Sequence, residues 1–263
     1  MAEAAAAVKY IFVVRHGQRK DHRPDVYPEF VGHLDTPLTP LGIDQADCVG
    51  REIMRRMQQI CQDEKCTEYE VTMECSPFSR CLETSYAISK VVGAKTCNFN
   101  YAFAEWLAER LYKDDPVPKL PTLAQPADAN FERLSSLFPG LTFADCPNNR
   151  RSLIEGRFPE TPEQANERFL VGHQDLLESV KKQSAKLHFV VIVAHGFQQE
   201  CIPLKYRNEW AKYPCYCAFT LMRMDASGKD EMILERYEDH MHADPRFAGQ
   251  TDNPKKPVGA KVD

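Results

Sequence analysis

Four short clusters in this chain hold residues suited to phosphoryl chemistry. They are Arg15-His16-Gly17 with Arg19 close behind, Ser76-Pro77-Phe78-Ser79-Arg80, Ala104-Glu105-Trp106, and Ala194-His195-Gly196. A guanidinium offers a planar fork that grips phosphate oxygens two at a time. An imidazole, with an ordinary pKa of about 6.5, can act as a neutral nucleophile while a second ring beside it stays cationic. A carboxyl such as Glu105 supplies the proton that a departing alkoxide or phenoxide needs. The neighbouring Trp106 would desolvate that carboxyl and raise its pKa. Brought to one point, these groups match a phosphoryl group.

A sheet is what could bring them together. Tyr10-Ile11-Phe12-Val13-Val14 is an apolar run that stops at Arg15, the pattern of a buried central strand. His188 to Val193 is a second such run and stops at Ala194-His195-Gly196. Ligands of open α/β sheets bind outside the carboxyl ends of the strands, so two strands that each deliver a His-Gly point to one crevice. Val71 to Glu74 reads as another strand, followed by Ser76-Pro77 and a helix from about Phe78 to Val92 that sets Arg80 in its first turn. Ile43, Ala46, Gly50, Ile53, Met57 and Ile60 recur at helical steps, with Thr39 as N-cap and Pro40 in the first turn. Pro162 to Lys182 predicts a second long helix with Ala165, Phe169, Leu176 and Val180 on one face. Cys217 to Met224 and Met232 to Arg236 predict a closing strand pair turning at Ser227-Gly228. This alternation predicts an α/β fold, a mostly parallel central sheet with helices on both faces.

Residues 113–162 break the pattern. They contain eight of the chain's 18 prolines and only short helical stretches such as Asn130 to Phe138. The expectation is an irregular insertion over the active site, acting as a lid, within a single domain spanning residues 1–248. Residues 249–263 read as a polar tail.

Bulk properties exclude several classes. A formal charge of −5 with no basic domain gives no support for nucleic-acid binding, and no apolar stretch approaches the roughly 18 residues of a membrane span. The opening residues lack the basic and apolar regions of a signal peptide, so a cytoplasmic location is expected. The ten cysteines read as reduced, mostly buried thiols. Neither Cys61-x4-Cys66 nor Cys215-x-Cys217 has the second pair that a zinc site requires.

The four ordered motifs resemble the histidine phosphatase superfamily, whose fold is phosphoglycerate-mutase-like. Arg15-His16-Gly17 is similar to its nucleophile motif, Leu38-Thr39-x-x-Gly42 to its first-helix element, Ser76-Pro77-x-x-Arg80-x-x-x-Thr84 to its second-arginine motif, and Ala194-His195-Gly196 to its second-histidine motif. Arg15-His16-Gly17-Gln18-Arg19 and Ala104-Glu105-Trp106 further resemble the phosphatase domain of the ubiquitin-associated and SH3-containing suppressors of T-cell receptor signalling. Gln18 stands where that branch has Glu, and Ala194 where it has Ser. The resemblance implies a histidine acid phosphatase-type phosphomonoesterase with no metal and no cofactor. In it His16 attacks phosphorus and Glu105 is the acid. Arg15, Arg80 and His195 complete the catalytic set, and Arg19 binds substrate.

Competing readings stand beside these. Arg19 lies among Lys20, His22 and Arg23, where a solvated basic run is the plainer account. Glu109 competes with Glu105 for the acid role, and Trp106 reads as a packing residue. His22, His33, His173, His240 and His242 are taken as structural. A cofactor-dependent phosphoglycerate mutase and a non-catalytic phosphoprotein-binding module are the rival functions. Substrates would be phosphorylated small molecules or phosphoproteins, selected by the Gln18–Pro37 loop and the Pro-rich segment. The related phosphatase domains dimerise, which leaves a homodimer open.

Overall fold

The structure is a computed structural model that describes residues 8–31, 35–105, 134, 136–145, 159–182, 185–207, 215–224 and 232–238. Among the described residues seven strands follow one another: β1 (Val8–Arg15), β2 (Glu70–Cys75), β3 (Thr96–Phe99), β4 (Thr142–Asp145), β5 (Leu187–Ala194), β6 (Phe219–Met224) and β7 (Met232–Glu238). They form one sheet in the order β4-β3-β2-β5-β1-β6-β7. The pairs from β4 to β1 are parallel, whereas β6 runs antiparallel to both β1 and β7. Among the described residues four helices cover it: α1 (Pro40–Asp63), α2 (Ser79–Val92), α3 (Pro162–Lys181) and α4 (Gly196–Arg207).

Both faces of the central strands are dry, which is why their sequences are continuous apolar runs instead of alternating ones. Tyr10, Phe12 and Val14 of β1 join Phe189, Val191 and Val193 of β5 in one core with Ile53 and Met57 of α1 and Ile88 of α2. The intervening Ile11, Val13, Val190 and Ile192 face the other way, onto Phe169, Leu176 and Val180 of α3 and Ile202 of α4. Successive side chains of a strand point to opposite faces, so each central strand feeds both cores.

Local chemistry sets the helix starts. The Thr39 hydroxyl accepts the Gly42 N–H at 3.0 Å and Pro40 opens α1. Thr161 and Gln164 form a reciprocal capping box at the start of α3. Gly17 is pressed against α1: a Cβ there would lie 3.0 Å from the Gly42 carbonyl carbon and nearer still to its oxygen. The loop after β1 can meet the first turn of α1 only without that side chain.

Two expectations need correction. Ile43 is 47% exposed, and the buried stripe of α1 starts instead from Gly42, Gln45 and Ala46. Gln45 turns inward because its Oε1 accepts the Gln18 N–H at 2.8 Å. The span read as an irregular insertion contains β4, paired in parallel with β3 from Thr96↔Thr142 to Phe99↔Asp145. Phe143 stacks on Phe99 with ring centroids 5.3 Å apart, which gives this short edge strand an apolar anchor. Most of the expected lid, Trp106, Glu109, Cys146, the Ser227-Gly228 turn, the 249–263 tail, and His33, His240 and His242 lie outside the described residues.

The Thr39 hydroxyl also donates to Gln18 Oε1 at 3.0 Å, which ties the site loop to α1. Thr39→Ala should therefore lower the unfolding free energy by about 1 kcal/mol or more. In denaturant titrations that loss should exceed the one from Thr161→Ala, whose cap holds no second loop.

Candidate active site

Parallel pairing sets Arg15 opposite Ala194, so His16 and His195 leave β1 and β5 side by side. Their ring centroids lie 5.3 Å apart, and the His16 N–H bonds to the Ala194 carbonyl at 3.0 Å. His16 Nδ1 is 2.7 Å from the Gly17 carbonyl oxygen. A carbonyl can only accept, so Nδ1 carries the hydrogen and Nε2 of the neutral ring keeps its lone pair. Burial, then the positive charge of Arg80 with His195 and Arg15 nearby, holds the His16 pKa well below 6.5. The ring is neutral and oriented.

Glu105 follows the 3-10 turn Tyr101–Phe103 that β3 leads into. Its Oε2 lies 3.1 Å from Arg80 Nη2, 3.1 Å from His195 Nδ1 and 3.8 Å from Arg19 Nη1. The expectation of a raised pKa fails. Burial does push this carboxyl up, but His195, Arg80 and Arg19 together outweigh burial and hold it well below the usual range. The expectation of a cationic second imidazole fails as well. Burial outweighs the pull of Glu105 and lowers His195 to about 4. The Nδ1–H of neutral His195 faces the carboxylate, and its Nε2 accepts the Ser76 hydroxyl at 2.8 Å.

Arg80 is fully buried, with its guanidinium carbon 4.4 Å from the centre of the Phe78 ring. Thr84 links α2 to the nucleophile loop, accepting the Gly17 N–H at 3.1 Å and donating to the Arg80 carbonyl at 2.7 Å. Arg15 lies 4.4 Å over the Tyr216 ring. Arg19 does reach the cluster, but its Nε and Nη2 are engaged by Asp21 at 2.6 and 2.5 Å. Asp21 in turn accepts the Thr36 hydroxyl. All six candidates (Arg15, His16, Arg19, Arg80, Glu105 and His195) thus come together.

The sequence does not single out Asp21, Tyr216 or the site-facing position of His22, which hydrogen-bonds to the Tyr216 hydroxyl. Asp21 had a faint signal, an acid two residues after a candidate phosphate ligand. Tyr216, about two hundred residues from His16, had none.

Three guanidiniums against two carboxylates, with both imidazoles neutral, leave one unit of positive charge. Ligand atoms of His16, Glu105 and His195 lie within 4.8 Å of one another, a spacing that could hold a metal. The surrounding guanidiniums would repel a divalent cation and attract an anion. The donor set fits phosphate better than metal.

Protonation yields a test. His22, His173, His188 and His195 are each lowered to about 4, chiefly by burial, and His16 is lowered too. Unfolded imidazoles take up protons near pH 6.5 while these native rings do not, so the unfolded state binds more protons and stability rises with pH. The depressed carboxylates, Glu105 and Asp21, act only below their ordinary range, outside this window. The melting temperature should fall between about pH 7 and about pH 5. Saturating phosphate should lessen the fall by favouring the charged form of His195. A level or rising profile would contradict neutral buried imidazoles.

Residues 11–115 match the sequence model of the histidine phosphatase superfamily, branch 1. A curated relative, the transcription factor tau 55 kDa subunit of Saccharomyces cerevisiae, is 26% identical over 192 residues. That alignment is 72% of this chain but only 39% of the relative, so the chain spans about two fifths of that protein. Phosphoglycerate mutase from Bacillus anthracis str. Sterne superposes with a TM-score of 0.54 at 14% identity, covering 90% of this chain and 96% of that one. A native mycobacterial glucosyl-3-phosphoglycerate phosphatase gives 0.51 at 14% identity, covering 89% and 100%. At these identities the likeness is one of fold. The similarity to the suppressors of T-cell receptor signalling rests on the motifs alone. Residues 11–115, which carry His16, Arg80 and Glu105, thus match the histidine phosphatase superfamily, and they are set in a fold of the phosphoglycerate-mutase type.

Proposed function

We propose that this chain hydrolyses phosphomonoesters through a phosphohistidine on His16. The observation that carries the reading is the state of that ring: buried, neutral, pinned through Nδ1 to the Gly17 carbonyl, and surrounded by Arg15, Arg80 and His195. Its bare Nε2 is a nucleophile already in position.

An incoming phosphoryl group takes the place of the Glu105 carboxylate as partner to Arg80, Arg19 and His195. The negative charge it brings weakens the cations' hold on Glu105 and raises that carboxyl's pKa toward the range of a working acid. His16 Nε2 then forms a bond to phosphorus as the phosphorus–oxygen bond of the ester breaks. Glu105, which takes up a proton from solvent or from the substrate monoanion as the phosphoryl group binds, gives that proton to the leaving oxygen. In the second half Glu105 takes a proton from water, whose oxygen attacks phosphorus and breaks the phosphorus–nitrogen bond. Phosphate leaves and neutral His16 returns. Guanidinium forks stabilise the charge on the equatorial oxygens throughout. Substrates belong to the phosphorylated small molecules or phosphoproteins.

Phosphoramidate bonds survive base and break in acid, so quenching in base during turnover should trap label on the peptide that carries His16. His16→Ala should abolish both label and turnover. Label on His195, or hydrolysis by the His16→Ala protein, would overturn the mechanism.

Glu105→Gln should slow hydrolysis of an alkyl phosphate by roughly 10² to 10⁴. An activated aryl phosphate, whose leaving group hardly needs a proton, should lose much less. Equal losses on both substrates would place the acid elsewhere.

A further inference from the structure

Behind Glu105 lies a second buried ion pair that the proposed chemistry does not use. Arg168, on α3, has a fully buried side chain and meets Glu160 through two bonds, Nε to Oε1 at 2.7 Å and Nη2 to Oε2 at 2.8 Å. The rest of its fork is spent on main-chain carbonyls. Nη1 donates to Ala102 at 2.9 Å and to Ala104 at 3.1 Å, with Tyr101 at 3.4 Å, and Nη2 donates to the carbonyl of Glu105 itself at 3.1 Å. Gln198 of α4 holds the same segment from the other side. Its Nε2 donates to the Ala104 carbonyl at 3.1 Å while its Oε1 accepts the His195 N–H at 3.0 Å.

The need for this arrangement is plain from the backbone. Past Phe99 the chain leaves the sheet, and residues 101–105 make only one 3-10 turn, in which the Tyr101 carbonyl accepts the Ala104 N–H while the carbonyls of buried Ala102 and Ala104 rely on side-chain donors. Buried carbonyls without donors are costly. A planar fork with five donors can serve the carboxylate and several carbonyls at once, more than the three donors of a lysine ammonium can reach. Net stability is a poor reason to keep a buried ion pair, since apolar replacements often do as well. Position is a better one.

We infer that Arg168, anchored by Glu160, is the positioning residue for Glu105. It holds the main chain on both sides of the carboxyl-bearing residue and so sets where Oε2 stands relative to Arg80 and His195. Gln198 makes the acid and the second histidine move as one unit. The inference rests on Glu105 being the general acid.

Arg168→Lys keeps the charge beside Glu160 but loses the fork. The test measures its kcat on an alkyl phosphate and on p-nitrophenyl phosphate, its vanadate affinity and its melting temperature, with Glu105→Gln alongside. The alkyl phosphate rate should fall on the order of 10- to 100-fold, while the p-nitrophenyl phosphate rate changes less than about threefold. Vanadate affinity should hold, because Arg15, His16 and Arg80 are untouched. The acid limb of the alkyl phosphate profile should also move, which a general loosening of the fold would not produce. Glu160→Gln, close to isosteric, should shift the ratio of the two rates in the same direction by a smaller factor, and it serves if Arg168→Lys does not fold. Equal losses on both substrates, vanadate binding that weakens in step with the melting temperature, or an unchanged ratio in Glu160→Gln would overturn the inference. If Glu105→Gln discriminates between the substrates and the Arg168 and Glu160 variants do not, only the positioning role fails. If Glu105→Gln itself does not discriminate, the acid assignment fails and takes this inference with it.

Discussion

The site depends on β1 and β5 running side by side in the same direction and ending at the same level. With Arg15 opposite Ala194, His16 and His195 are adjacent before any side chain chooses a rotamer. An antiparallel pair would put the two His-Gly steps at opposite ends of the sheet. Because both faces of this pair are covered by helices, the strand ends lie in a dry environment. The same burial that makes the strands continuous apolar runs makes the imidazoles neutral.

Electrostatic balance follows from that burial. Three guanidiniums at the edge of a dry core need negative partners, since an unpaired buried charge is costly. The partners are Glu105 for Arg80 and Asp21 for Arg19. Glu105 is therefore an ionised counter-ion, and in the proposed mechanism it works as an acid once a phosphoryl group relieves it of that task. On this view substrate binding and acid activation are one electrostatic event. The engagement of Arg19 by Asp21 also sets it apart from Arg80, whose guanidinium faces the Glu105 carboxylate directly.

Supporting contacts form in layers around this centre. Thr84 ties the nucleophile loop to α2, and Thr39 ties Gln18 to the start of α1. Arg168 and Gln198 hold the segment that carries Glu105. Each of these groups satisfies backbone atoms where the chain leaves regular structure, and those are the places where reactive groups gather. Irregular backbone can present a side chain at an unusual angle, but only with donors supplied from elsewhere in the fold.

Much of this was legible in the sequence because it is written locally. Apolar runs that stop at Arg15 and Ala194, the Thr39-Pro40 start of α1 and the order of the four motifs depend on neighbouring residues and short-period patterns. They determine the strand ends, the class of fold and the six residues that meet at the site. The edge strand β4 was not legible, since four residues among prolines become a strand only when β3 offers its free edge and Phe99 stacks on Phe143. Nor was the inward turn of Gln45 in place of Ile43, which answers a backbone N–H at Gln18. The ionisation of Glu105 and the neutrality of His195 were misjudged for the same reason. A pKa is set by distances to groups such as Arg80 and by the depth of burial, and residues far apart in the chain acquire those only in the folded state. The sequence by itself pointed to six of the groups in the crevice, but not to Asp21 or Tyr216. The tertiary structure alone decided their charges and their partners, because electrostatic energy depends on separation in space and not along the chain.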